Sequence, residues 1–205
     1  MHDAVNTRDR ILHAAARVLS ERGYAASRLS DIADLAGLRT PGMYHYFASR
    51  DDLVLEVMRA GQQRVWTHVR EALDACADQS AAARLLVAVE AHLRIELELS
   101  DFATAVTRNL GHVPPAMRKE LSVDSDAYHD MWRGLLTDAE SEGLLEPGLD
   151  LGVARMMIIG ALNWTPEWWH RDGSTIDVVV STAQAMITRG LFGEIDSAVG
   201  SSRAN

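Results

Sequence analysis

Several scarcities narrow what this 205-residue chain can be. It has one cysteine, Cys76, so no internal disulfide can form, which fits a reducing cytoplasm. In the stretch EALDACADQSAAA that thiol reads as a small buried or half-buried side chain rather than a redox sensor. No apolar run reaches about 18 residues, so nothing in the sequence spans a bilayer. The charged opening MHDAVNTRDR lacks the apolar segment of a secretory leader. Strand patterning is almost missing, since Val178-Val179-Val180 is short and sits in a helical context. Catalytic patterns are missing too. Asp51-Asp52, Glu96 with Glu98, and Glu140 with Glu142 lie one or two residues apart, and such neighbours on a helix do not face each other. The eight histidines show no metal-ligand spacing, so no metal site is expected, and His92, His112 and His129 read as surface or packing residues. There is no nucleophile elbow, no glycine-rich phosphate loop and no cofactor box. These absences argue against an enzyme and against a membrane protein. Lysine occurs once, at Lys119, against nineteen arginines, which reads as the codon usage of a GC-rich genome.

What is present is helix. Apolar residues make up 47% of the chain, enough for a substantial core. Ile11, Leu12, Ala15, Val18 and Leu19 place a helix over about 7–22, ended by Gly23. A long helix is predicted over 53–73, able to reach from one domain into the next. Further helices are predicted over 81–99, over 102–110 ending at Gly111, and over 114–142, opened by Pro114-Pro115 and closed by Gly143. Asp150 caps a helix over 151–170, and the last helix covers about 175–191. The tail, 194–205, reads as disordered. The fold class is all-α, with domains at 1–50 and 51–193.

Residues 29–47, LSDIADLAGLRTPGMYHYF, carry most of the functional information. Leu29, Ile32, Ala33 and Ala36 form one apolar stripe, and Gly37 follows as a helix-ending residue. Leu38 anchors the turn, Thr40 can cap a second short helix, and Pro41 fits its first position. Met43 and Phe47 point at the core. Arg39, Thr40, Pro41, Gly42, Tyr44, His45 and Tyr46 are left to face outward, an aromatic and cationic surface. This is the organisation of a helix-turn-helix, whose second helix enters a DNA major groove. Charge agrees. Residues 1–50 carry seven arginines against five acids, net +2, while the rest carries thirteen cations against twenty-four acids, net −11. A basic end on an acidic body orients the molecule toward DNA.

With its flanks, including Ser49-Arg50-Asp51-Asp52 before the long helix, this segment resembles the N-terminal domain of the TetR family of bacterial transcriptional repressors. The resemblance covers about the first quarter of the chain. It implies that Arg39, Thr40, Pro41 and Gly42 begin a recognition helix and that Tyr44, His45 and Tyr46 hold its base and phosphate contacts. Arg50 stands where the family usually has a phosphate-binding lysine, and Arg28 and Ser30 stand where backbone contacts occur. The chain departs from the family at Arg39, Thr40 and Gly42, where a small polar residue, a lysine, and threonine or alanine are usual. The operator sequence is therefore left open. Arg39 is equally a reader of guanine and a plain phosphate contact. The family also implies a homodimer on a near-palindromic double-stranded DNA operator, cytoplasmic, and released by a small-molecule effector bound among the middle helices.

ARMMIIGALNWTPEWWH is the most unusual segment of the second half. Ile158, Trp168, Trp169, Val179 and Met186 are expected at a dimer interface; Asn163 and Trp164 fit a pocket wall or that interface equally. NWTPEWW, preceded by TRNLGHVPPAMRKEL, resembles the branch of the family that responds to acyl-CoA thioesters of fatty-acid or sterol-ring degradation. That resemblance implies an apolar ligand tail along Leu93, Leu97, Phe102, Val106, Tyr128, Met131, Trp132 and Met157, with Arg108, Arg118 and Lys119 meeting phosphates. Two other readings compete: a regulator of drug efflux or aromatic catabolism sensing a flat ligand, and a helical protein-interaction module.

Overall fold

Local capping chemistry sets most of the helix ends in the computed structural model of the chain, which describes residues 2–170 and 172–192, with the side chains of 2–6, 99 and 124 left aside. Helix α1 (His2–Ala26) bends at Gly23, whose φ of 76° is open to glycine without strain. Helix α2 (Leu29–Leu35) buries Ile32 and Ala33 and stops at Gly37, φ 68°. There the Leu38 amide bonds the Ala33 carbonyl and the Gly37 amide bonds the Asp34 carbonyl, a Schellman closure. Helix α3 (Thr40–Met43) is one turn long. Its N-cap is Arg39 rather than Thr40, and no side chain caps it. Proline lacks an amide and fits the first turn wherever the donor is an orphan, so Pro41 sits comfortably at the second position.

Helix α4 (Arg50–Asp74) starts at Ser49, whose Oγ accepts from the Asp52 amide at 3.1 Å. At ~1.5 Å per residue it runs about 37 Å. Then follow α5 (Ala81–Arg94), a π-helical turn (Ile95–Leu99), α6 (Asp101–Asn109), α7 (Pro115–Asp124), α8 (Asp126–Ser141), α9 (Leu151–Trp168) and α10 (Ile176–Leu191). The helix expected over 81–99 thus widens at its end. The one expected over 114–142 breaks at Ser125, whose amide turns back to Ser122. Among the described residues there is no strand, and no helix is long and apolar enough to cross a membrane. The expected disordered tail, 194–205, lies outside the described residues.

Two apolar cores result. One joins α1–α3 and the start of α4 to Phe102, Ala105 and Val106 of α6 and to Met117 and Leu121 of α7. The other joins the far half of α4 to α5, α8, α9 and α10. The α1–α3 head is therefore seated on the body through α1 and α6. Asn109 ties the seat: its Nδ2 donates to the Leu19 and Ala105 carbonyls at 3.2 and 2.7 Å, and its Oδ1 accepts from the Tyr24 amide.

Helix α4 also touches α6 closely at Gly61, where an added Cβ would lie 2.2 Å from the Phe102 carbonyl oxygen. Backbone cannot yield as a side chain does. Gly61→Ala is expected to cost about 1–3 kcal/mol, the range for overpacking a closed core. Urea unfolding followed by circular dichroism checks this; an unchanged midpoint would show that the two helices part freely.

Candidate functional site

The head divides by helical period into a buried and an open side. Met43 and Phe47 are buried as the spacing predicts. Arg39, Pro41 and His45 are exposed, Thr40 and Gly42 are half-exposed, and Tyr44 is 58% exposed. Tyr46 is turned further in, half-buried against the head's own core. Ser30 and Arg28, the latter at the N-cap of α2, are exposed. Arg28 and Arg39 have no ion-pair partner among the described residues.

Arg50 is placed otherwise than its expected role requires. Its Nε donates to the Ser27 carbonyl at 2.9 Å and one terminal nitrogen donates to Ser27 Oγ and the Tyr24 carbonyl. The guanidinium stacks 4.3 Å over the Tyr24 ring, and its other nitrogen lies 3.3 Å from Asp51. These bonds clamp the α1–α2 corner to α4 and leave little of the group for a phosphate.

Behind the head, residues of α4, α5, α6, α8 and α9, with Glu96 of the π-helical turn, line a partly open cavity of about 640 Å³. Of the residues expected to line a ligand site, Val106, Tyr128 and Asn163 do so. The others lie elsewhere, each for a local reason. Leu93 and Trp132 are fully buried in the second core, where Leu97 and Met131 also pack. Phe102 belongs to the head's core, with the His13 ring edge-on at 5.0 Å and the Arg64 guanidinium 4.0 Å over its face.

The expected phosphate cations are likewise committed or distant. Arg108 donates to the Ser20 carbonyl at 2.6 Å and the Pro166 carbonyl at 3.0 Å, tying α6 to α1 and α9. Arg118 donates to the carbonyls of Leu110, Gly111 and Val113. Lys119 is exposed on α7, outside the cavity lining.

Most of the polar wall of the cavity comes from residues not expected at a ligand site. Helix α4 contributes Glu56, Arg59, Gln62, Gln63 and Trp66. His92 is buried; burial lowers its pKa to about 4, against a smaller upward pull from Asn163, so the ring is neutral. Its Nδ1 shares a hydrogen bond with the Tyr128 hydroxyl at 2.5 Å, and burial pushes that phenol's pKa up. Glu96, on the π-helical turn, is 3% exposed, and burial raises its pKa to about 7. Both of its bonds come from α6: Thr104 Oγ1 donates to its carbonyl and Thr107 Oγ1 to its Oε2, each at 2.6 Å. His129, half-buried, completes this side. His112 is exposed and outside the cavity. The legible signal was the pair His92 and Glu96, four apart on the helical face that also carries Leu85 and Val89.

On the opposite surface, α9 and α10 form an open apolar groove of about 950 Å³. Met157 and Met186 are each 70% exposed there, Trp164 65% and Trp168 51%. Met157 and Trp164 therefore face this groove and not the cavity. Ile158 and Val179 form its floor, buried within their own chain. Trp169 is half-buried, its indole N–H bonded to the Ser174 carbonyl at 2.8 Å across the α9–α10 connection.

Comparison with known proteins adds the following. Residues 11–57 match the model of the bacterial regulatory proteins, tetR family, and residues 78–191 match that of the tetracyclin repressor-like C-terminal domain. The chain is 25% identical over 169 residues to the fatty acid metabolism regulator protein of Bacillus subtilis (strain 168), covering 82% of this chain and 86% of that one. It is 26% identical over 188 residues to the HTH-type transcriptional repressor KstR2 of Rhodococcus jostii (strain RHA1), covering 90% of each. Among solved structures, AibR in complex with isovaleryl coenzyme A and operator DNA superposes with a TM-score of 0.80 at 20% identity, over 90% of this chain and 99% of that one, a likeness of fold.

Proposed function

The chain belongs to the TetR family of bacterial regulatory proteins, and on that premise we propose that it is a homodimeric, ligand-released transcriptional repressor. One observation carries the reading. The helix that begins at the DNA-reading head, α4, also supplies the cavity wall from Glu56 to Trp66. A ligand that fills the cavity acts on the same rigid rod that fixes the head. Two heads would occupy successive major grooves about 34–36 Å apart. An effector need only bind the wrongly spaced dimer more tightly; coupling of about 1–3 kcal/mol per ligand is typical. The exposed apolar faces of α9 and α10 supply the surface through which two copies meet.

The effector class we propose is an acyl-CoA thioester of lipid or sterol catabolism. Support comes from the similar regulators of fatty-acid metabolism and the repressor KstR2, and from the similar fold that binds isovaleryl coenzyme A. The cationic clamp expected at Arg108 and Arg118 does not support it, since both guanidinium groups hold backbone carbonyls. Arg59, at the cavity, is the cation of its lining.

The test is a gel shift of the dimer on DNA upstream of its own gene, with and without acyl-CoAs. Tyr44→Ala is expected to weaken operator binding about 10–100-fold, a loss of ~1–3 kcal/mol, while thermal melting stays unchanged. Unaltered operator affinity would remove Tyr44 from the reading surface.

A further inference from the structure

Exposure grades along the cavity. Arg59 and Gln63 are exposed and stand at its mouth, whereas His92 and Glu96 are buried and stand at its closed end. Between them Val65, Val106 and Ile159 offer only apolar surface. A chain entering through the mouth therefore passes apolar flanks and brings its far end against polar groups.

Those groups are not satisfied within the chain. The Tyr128 phenol, held protonated by burial, has no hydrogen-bond partner but His92 Nδ1 among the described residues, so it donates there. Burial keeps His92 neutral, against a weaker pull from Asn163 that closes no hydrogen bond, and the ring carries its own proton on an unpartnered Nε2. Glu96 Oε2 accepts from Thr107, while Oε1 has no hydrogen bond among the described residues. With its pKa raised to about 7, this carboxyl both accepts and donates near neutral pH. The closed end thus offers one fixed donor and one oxygen that works either way, four residues apart on one helical face. An alkyl terminus leaves both unpaired in a buried place, which is costly. A hydroxyl accepts from Nε2–H and donates to or accepts from the carboxyl, whichever form the carboxyl takes. Resting on the effector reading above, we infer that the acyl group this cavity takes best is hydroxylated at its far end rather than a plain alkanoyl chain, with His92 and Glu96 setting the preference.

The experiment is calorimetric titration of the full-length protein with three matched pairs: ω-hydroxyhexanoyl-, ω-hydroxyoctanoyl- and ω-hydroxydecanoyl-CoA, each against the unsubstituted thioester of the same length. The same chains are titrated as methyl esters. In the wild type the hydroxylated chain is expected to bind at least about tenfold more tightly at the length that reaches the closed end, the scale of a buried bond to a group otherwise unpaired. Glu96→Leu and His92→Leu each remove one partner and should cut that ratio several-fold. His92→Leu leaves Glu96 and Thr107 in place, so a Glu96→Leu protein that fails to fold does not end the test.

Equal or weaker binding of the hydroxylated chain at all three lengths would overturn the inference. So would the failure of every chain to bind, or a ratio unmoved in the leucine variants. Operator release is read separately on the same complexes. If the methyl esters show the preference while no thioester frees the DNA, the effector reading fails and the closed-end preference stands. If the thioesters free the DNA but the hydroxyl changes nothing, the effector reading stands and this inference falls.

Discussion

Met186→Asp is expected to leave each chain helical, separate the two copies of the proposed homodimer, and remove operator binding. Met186 stands 70% exposed on α10, facing Met157 and Trp164 across the groove. Exposed apolar side chains this large and contiguous mark a contact surface. A twofold pairing uses the same patch on both chains, so one substitution enters the interface twice. Each copy would lose roughly 1.5–3 kcal/mol of methionine burial. Each would also bring an unpaired carboxylate out of water, at several kcal/mol more. At ~1.4 kcal/mol per decade, the combined loss weakens dimerisation by more than about 10⁴-fold. A single head then meets a single half-site and forfeits the gain of linked binding. Sedimentation velocity reads the dissociation, gel shift reads the operator, and circular dichroism confirms the helices. A variant that still sediments as a dimer would show that the copies meet through another face.

Helix ends and the reading head were legible in the sequence because both are written locally. Gly37 needs a positive φ, Ser49 and Asp150 each offer an oxygen to an amide three residues on, and the burial of Met43 and Phe47 against the exposure of Tyr44 follows a period of 3.6. The break at Ser125 had no such mark; no glycine or proline stands there, and its backbone remains right-handed. The cavity was hardest to read. Helical spacing tells that Leu93, Trp132 and Val106 face inward, but whether they meet another helix or an empty space is decided by how five helices cross. Leu93 and Trp132 meet core, and Val106 meets the cavity. Charged residues misled for a related reason. Arg108 and Arg118 look like free cations in a string of letters, yet carbonyls left orphaned by helix ends lie within their reach. His92 read as a surface or packing residue and Glu96 only as half of a carboxylate pair with Glu98, while the π-helical turn together with two threonines from α6 holds Glu96 inside.

Those two residues give the chain opposed responses to acid, and Glu96→Gln is expected to expose one of them. Glu96 is bonded to Thr107 of α6 and coupled to Tyr128 of α8, and the cavity it lines is also lined by His92 from α5, His129 from α8, and Glu56 and Arg59 from α4. Glu96 shifts from 4.5 to about 7 on folding, so the native state holds its proton more tightly than the unfolded chain. Its contribution is fully present below pH 4.5 and is lost as pH rises through 7. His92 shifts from 6.5 to about 4, so its contribution is present above pH 6.5 and is lost as pH falls through 4. Each displacement corresponds to about 3 kcal/mol at ~1.36 kcal/mol per tenfold change in proton affinity. Between pH 4.5 and 6.5 the two slopes cancel in the wild type. Glu96→Gln removes one of them, and its stability relative to the wild type is expected to climb by about 3 kcal/mol from pH 4.5 to above 7. His92→Asn should fall relative to the wild type as pH rises from 4 to 6.5. Urea unfolding of the three proteins at stepped pH reads both differences directly. Parallel curves for Glu96→Gln and the wild type would mean that this carboxyl reaches water in the native state.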